Sequence, residues 1–327
     1  MSFDSFEEFQ AEVNSLHLDG DYYRALELIL SNKERFPSRY GLINYWLLSL
    51  YSLTGDTEHA LKTFGQTVSS GFWFSDFLLR KNPDLQSLQG LEKFERLVAL
   101  NRENRTLDKS HQFPLLILRS EGACLSSAEP CPIMLVIHSY AATAAESLDF
   151  WRAGSEAGYL VAAPQSSQAL WKGAYIWDDL ETSTSEIVGH LQSIQDKYEI
   201  DPEHIIISGI RKGAELCIKL ALTRTIQTKG FILINPDFSF MFQPDPFSLE
   251  NQTNYPEKEH EGWNLRGYII NGENTASQRE NLLEAFTNSM LELGIVCNSV
   301  YVPDAEYEHI PGYDPFLLRA IDFIAQD

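Results

Sequence analysis

After about residue 105 the chain alternates short apolar runs with longer amphipathic stretches. Runs at 114–118, 133–137, 159–163, 205–207, 231–234, 268–270 and 299–302 have the length of strands, and several are rich in valine and isoleucine. They are continuous rather than alternating, the pattern of strands buried on both faces of a parallel sheet. Between them apolar positions recur with helical spacing. They do so near 144–157, over 183–197 with Ile187, Leu191 and Ile194 on one face, over 279–293 and over 316–324. This alternation predicts an α/β fold, a mostly parallel sheet with helices on both faces. The stretch 239–264 is long and mostly polar, with Pro244, Pro246 and Pro256. It reads equally as a lid or as a tolerated insertion.

Before residue 105 the pattern is helical throughout and carries an internal echo. Gly20-Asp21 followed by Ala25-Leu26 recurs as Gly55-Asp56 followed by Ala60-Leu61, an offset of about 35 residues. The echo resembles tetratricopeptide repeats, whose period is about 34 residues with small residues where paired helices cross. The family's tryptophan and glycine positions hold Phe9 and Val13 in the first repeat, and Asn44 and Leu48 in the second. Two visible repeats fall short of the roughly three a free-standing solenoid needs. The resemblance therefore implies a docked module with a protein partner. Gly71-Phe72-Trp73-Phe74 reads as the docking contact or as ordinary helix-pair core. Asn101 to Arg105 is polar and patternless, which sets the expected boundary between a helical domain, 1–105, and an α/β domain, 106–327.

Composition narrows the function. The chain has 327 residues, 44% hydrophobic, and a formal net charge of -21. A surface so acidic repels phosphate backbones and anionic headgroups, so neither nucleic acid nor membrane is an expected partner. No apolar run approaches the roughly 20 residues of a membrane span, and the acidic start MSFDSFEEFQ lacks the pattern of a signal peptide. Cys124, Cys131, Cys217 and Cys297 show no C-x-x-C spacing. Free thiols in a reducing cytoplasm are the simpler reading, although Cys124 and Cys131 could pair across a loop. There is no dinucleotide fingerprint, phosphate loop or H-E-x-x-H, and no cofactor is expected. His260 between Glu259 and Glu261 reads as a solvated loop rather than a metal site, so no metal is expected either.

The candidate chemistry lies around residue 211. Ile205-Ile206-Ile207 make a buried strand, Gly209-Ile210-Arg211-Lys212-Gly213 a five-residue turn, and Leu216, Ile218, Leu220 and Ala221 an apolar helix. Glycines two residues either side of a central position are what a sharp strand-to-helix turn requires, because a Cβ at either flank would clash. In the G-x-S-x-G version of this turn the centre is a serine nucleophile. Here it is Arg211. From about residue 110 the chain resembles the α/β-hydrolase superfamily, in particular its carboxylesterase/phospholipase-type predicted esterases. The segments carrying the likeness run in order: Ile137-His138-Ser139-Tyr140, Val161 to Ser166, Trp177-Asp178-Asp179, the elbow, Gly230 to Asp237, Gly272-Glu273-Asn274-Thr275, and Glu308-His309-Ile310-Pro311.

The resemblance assigns roles and also shows what is missing. Arg211 stands at the nucleophile and Thr275 at the acid, so two triad positions are degenerate. Asp237 and Glu273 are alternative acids. His309 stands at the base. His138 and Ser139 match the family's His-Gly turn, and the oxyanion donors would be the N–H groups of Tyr140 and Lys212. A guanidinium stays protonated and cannot attack a carbonyl. Ser208 and Cys217 are the nearby nucleophilic side chains, one on the strand and one deep in the helix. The expected function is an esterase-like domain that has lost serine-hydrolase chemistry and acts in binding or scaffolding. The alternative is an active carboxylic ester hydrolase with an unusual nucleophile. Arg211 and Lys212 at a helix N-terminus would suit a small anionic or ester ligand, unless Arg211 pairs with Asp237 or Glu273 and plugs the pocket.

Overall fold

The computed structural model describes residues 3, 5–108, 115–119, 124, 130–238, 264–272, 276–303 and 312–326. Two compact units emerge: unit 1 is Met1–Gln112 with Ala169–Gly173, and unit 2 is Phe113–Gln168 with Ala174–Asp327.

Unit 1 is helical. Its helices are α1 (Phe6–Leu18), α2 (Tyr22–Asn32), α3 (Tyr40–Leu53), α4 (Thr57–Ser69), α5 (Asp76–Lys81) and α6 (Glu92–Leu107). The sequence echo is a structural one. Gly20 and Gly55 take φ of 76° and 77° after α1 and α3, a conformation glycine adopts without strain. In each corner the following aspartate N–H closes the same backbone bond, Asp21 to the Leu16 carbonyl at 2.8 Å and Asp56 to that of Tyr51 at 2.9 Å. Ala25 and Ala60 are fully buried one turn later.

Asn101 to Arg105, where the boundary was expected, is helical, because α6 runs through it to Leu107, and unit 1 extends to Gln112. Asn101 is buried and serves the Phe74 backbone twice, accepting its N–H and donating to its carbonyl, both at 2.8 Å. The aromatic patch is core: Trp73 and Phe74 are buried, and the Trp73 Nε1–H donates to Asp108 at 2.7 Å. The segment Ala169–Gly173 completes this region of unit 1. Phe74 pairs with Trp171 as an antiparallel bridge, and the Ser75 N–H donates to the Leu170 carbonyl at 2.7 Å.

Unit 2 is the α/β fold. In order it runs β1 (Leu115–Leu118), β2 (Cys131–Ile137), α7 (Ala144–Phe150), α8 (Arg152–Glu156), β3 (Leu160–Pro164), β4 (Gln168–Trp171, of which Ala169–Trp171 belong to unit 1), β5 (Ala174–Ile176) and α9 (Leu180–Gln195). Then come β6 (Ile200–Ile210), α10 (Lys212–Leu222), β7 (Gly230–Ile234), β8 (Arg266–Gly272), α11 (Ala276–Glu292), β9 (Val296–Val302) and α12 (Asp314–Ala325). A seven-stranded sheet has the order β1-β3-β2-β6-β7-β8-β9. Its β1 edge is antiparallel to β3, and the other pairs are parallel.

Strand alternation divides the core between the two faces. Ile205 and Ile207 join the side holding Ile187, Cys217 and Phe286, while Ile206 joins Trp151, Leu317 and Ile321. Two expectations need correction, and one element is new. The helix near 144–157 is two helices, separated at buried Trp151. The β4–β5 ribbon around Lys172-Gly173 was not anticipated. Cys124 and Cys131 form a disulfide, with Cα atoms 5.3 Å apart, while Cys217 and Cys297 are free thiols. No helix among the described residues is long and apolar enough to cross a membrane.

Candidate functional site

Topology marks the site before any side chain does. The chain leaves β2 for β3 on one side and later fills the other side with β6. The crevice beyond the carboxyl ends of β2 and β6 is thus a switch point, where open α/β sheets take their ligands. Ile137 lies opposite Gly209, so the turn from His138 to Tyr140 leaves the sheet beside the turn at Arg211.

That turn is a backbone device. Arg211 sits at φ 53°, ψ -115° between β6 and α10, a region that costs a non-glycine residue about 1–3 kcal/mol. A Cβ on Gly209 would lie 2.5 Å from the Gly213 carbonyl and 2.7 Å from the Ala214 nitrogen. One on Gly213 would lie 2.5 Å from the Ile137 oxygen and 2.6 Å from that of His138. Both glycines are therefore required by close backbone approach, the second of them by the same turn that follows β2. The Arg211 N–H donates to the Ile234 carbonyl at 2.9 Å, fixing the tip against β7.

Of the expected oxyanion donors, Lys212 directly follows this tip and Tyr140 lies in the turn after β2. Lys212 is the first residue of α10, so its N–H belongs to the orphan group at the helix start. Among the described residues no backbone carbonyl takes up the N–H of Tyr140 or of Lys212. Tyr140 is 54% exposed as a residue, and partial desolvation of its phenol, with the Asp178 charge, raises the phenol pKa. The Lys212 ammonium meets Glu215 at 2.8 Å. Burial alone would lower its pKa, but Glu215, Asp237 and Asp178 outweigh burial and leave it raised.

His138 is structural in its chemistry. It is buried, and burial holds its pKa down at about 4. Nδ1 lies 2.8 Å from the Ser139 carbonyl and Nε2 lies 3.3 Å from the Ser166 N–H. A backbone N–H can only donate, so Nε2 accepts and the neutral ring carries its proton on Nδ1. Trp177 packs on the ring at 4.9 Å. Gln165 accepts from the Ala144 N–H at 2.9 Å and reaches His138 Nε2 at 3.3 Å. The whole cluster braces the turn after β2.

The other assigned residues divide into those placed and those outside the description. Asp237 follows β7 by three residues and bears on Lys212 electrostatically. Ser208 is buried within β6 between Val136 and Ile232. Cys217 is also buried, and desolvation pushes its thiol well up. Glu273, Thr275 and His309 lie outside the described residues, as do His260 and the 239–263 stretch. The strands that lead to them are described, with Gly272 opposite Val302 at the carboxyl ends of β8 and β9. Sequence reasoning missed Asn235. At φ 43° its side chain accepts the Gly272 N–H at 2.9 Å and pins the end of β8. The signal was present as an Asn-Pro pair after a strand. Among the described residues no cluster of metal-ligating side chains occurs.

Comparison with known proteins agrees with this architecture. Residues 7–109 match the family model described as the A/B hydrolase-like, N-terminal domain. An uncharacterized protein from Bacillus cereus ATCC 10987, known from its crystal structure, is similar with 20% identity and a TM-score of 0.52. The match covers 98% of this chain and 99% of that one, and so shows a shared fold through both units. Esterase 2 of Thermogutta terrifontis is matched at 15% identity and TM-score 0.48, over 65% of this chain and 88% of that one. A carboxylesterase of Bacillus cereus is matched at 13% identity and TM-score 0.44, over 65% and 95%. Unit 2 is a mostly parallel α/β sheet fold, and the helical region matched by that family model precedes it in the sequence.

Proposed function

We propose that unit 2 has lost serine-hydrolase chemistry and that the protein acts by binding. One observation carries this reading: an arginine occupies the tip of a fully built elbow, at φ 53°, ψ -115° between Gly209 and Gly213. A guanidinium has no lone pair to offer a carbonyl near neutral pH. The neighbouring nucleophiles support the same reading. Ser208 is buried in mid-sheet, and Cys217 is buried with its thiol pushed away from the thiolate that reacts. In this proposal Arg211 and Asp237 close the old pocket together, because the Asp237 charge already reaches Lys212 beside the tip.

A serine-reactive fluorophosphonate probe and a panel of p-nitrophenyl esters test the proposal. The expected outcome is no labelling and no turnover above background. Labelling of the parent, lost on Ser208→Ala, refutes it. The double change Arg211→Ser with Thr275→Asp supplies the positive arm. It should give weak esterase activity that vanishes with His309→Ala, because a serine hydroxyl needs an oriented imidazole to act as a nucleophile.

A further inference from the structure

Unit 1 carries a groove of about 520 Å³ between α2 and the corner joining α3 to α4. Its lining includes Tyr23, Leu26, Glu27 and Leu30 from α2, with Tyr51 and Asp56 from the corner. Helix α2 is apolar on two sides. Ala25, Leu26 and Ile29 face the core, whereas Tyr23 is 73% exposed and Leu30 is 44% exposed. Propensity does not require apolar side chains at exposed positions, and a soluble surface is better served by polar ones.

The charges in the groove have one sign. The lining holds two carboxylates, Glu27 and Asp56, and no lysine or arginine. Asp56 is fixed in place: it caps α4 by accepting the His59 N–H at 3.1 Å, and it meets His59 Nδ1 at 2.8 Å. Those bonds hold its carboxyl below the usual range, so it stays ionised. The Tyr51 ring stacks on His59 at 5.3 Å and is fixed with it. Two tyrosine faces beside two carboxylates, over a leucine floor, form a receptor for a cation on an apolar stem.

We infer that this groove docks a basic amphipathic segment of a partner protein. A leucine-like side chain of that segment lies over Leu26 and Leu30, and flanking arginines meet Glu27, Asp56 and the two tyrosines. The inference concerns unit 1 alone and stands whether or not unit 2 is catalytic.

Fluorescence anisotropy of the full chain with two synthetic peptides tests it. One has a leucine flanked by arginines, and the other has glutamates in their place. The first should bind and the second should not. Binding should weaken on raising salt, as exposed charges are screened within about 8 Å at physiological strength. Glu27→Gln, Asp56→Asn and Tyr23→Ala should each weaken it about two- to five-fold. Asparagine keeps the α4 cap and glutamine keeps helix propensity, so these two variants fold. Glu284→Gln, at an exposed position of α11, changes net charge equally and should leave binding unchanged. No binding of the arginine peptide overturns the proposal. So does binding that Glu27→Gln, Asp56→Asn and Tyr23→Ala leave intact, or that Glu284→Gln weakens as much.

Discussion

Replacing Gly209 with alanine tests the elbow directly. The added methyl would sit 2.5 Å from the Gly213 carbonyl and 2.7 Å from the Ala214 nitrogen. Ordinary carbon contacts begin near 3.5 Å, so the start of α10 must move by roughly 1 Å. The obstacle is backbone, and that backbone is itself held, because Gly213 lies against the Ile137 and His138 carbonyls. No rotamer change relieves it. Forcing a methyl into such a contact costs about 1–3 kcal/mol. Gly189 supplies the control: it lies within α9, and a Cβ there meets nothing within 4 Å. Gly189→Ala should stabilise by about 0.5–1 kcal/mol, through helix propensity and a less free unfolded chain. The two alanines should thus differ by about 1.5–4 kcal/mol. For a unit of this size that separates their unfolding temperatures by roughly 3–16 °C, measured by calorimetry. Equal stabilities would mean that the turn is not tightly built, and an arginine at its tip would then say little about the chemistry there.

Two further outcomes follow from buried polar groups. Asn101→Ala strands a buried N–H and carbonyl at Phe74, which should cost about 2–4 kcal/mol in urea unfolding. His138 is held neutral with a pKa of about 4, below its unfolded value near 6.5. Its contribution is therefore full above pH 6.5 and lost as pH falls towards 4, on the order of 3 kcal/mol by linkage. Melting temperature followed from pH 7.5 to 4.5 should fall more steeply for the parent than for His138→Gln.

What the sequence revealed was whatever the backbone demands. The elbow was legible because two glycines four apart, between an isoleucine run and an apolar helix, admit few conformations. The parallel sheet was legible because strands buried on both faces must be apolar without a break. Asn101 misled for the opposite reason: a polar residue reads as solvent-facing unless its partners are known, and these are the backbone groups of Phe74, 27 residues away. The break at Trp151 has no glycine or proline to announce it and arises where a large side chain is buried between α7 and α8. The β4–β5 ribbon turns at Lys172-Gly173, with Gly173 at φ 79°. That was a hairpin signal, lost because its flanking runs are short. Cysteine spacing permitted the Cys124–Cys131 pair without selecting it.

The site separates into two kinds of feature with different fates. The φ of Arg211, the two glycine contacts, the N–H groups of Tyr140 and Lys212, and the His138 brace are all backbone or serve backbone. None depends on the side chain at 211, so replacing a nucleophile leaves them standing. They also keep a structural purpose, because the same contacts pack α10 on the sheet and seat Ala214 and Cys217 in the core. A position strained by about 1–3 kcal/mol persists when its surroundings over-determine it. Here they do so through packing that unit 2 needs in order to fold. The strain at Arg211 is therefore explained by stability alone, and it does not by itself argue for surviving catalysis. A glycine at 211 should relieve it, and an active enzyme could not use that glycine as a nucleophile. A built elbow is compatible with the proposed loss of chemistry, because fold stability alone is enough to maintain the elbow.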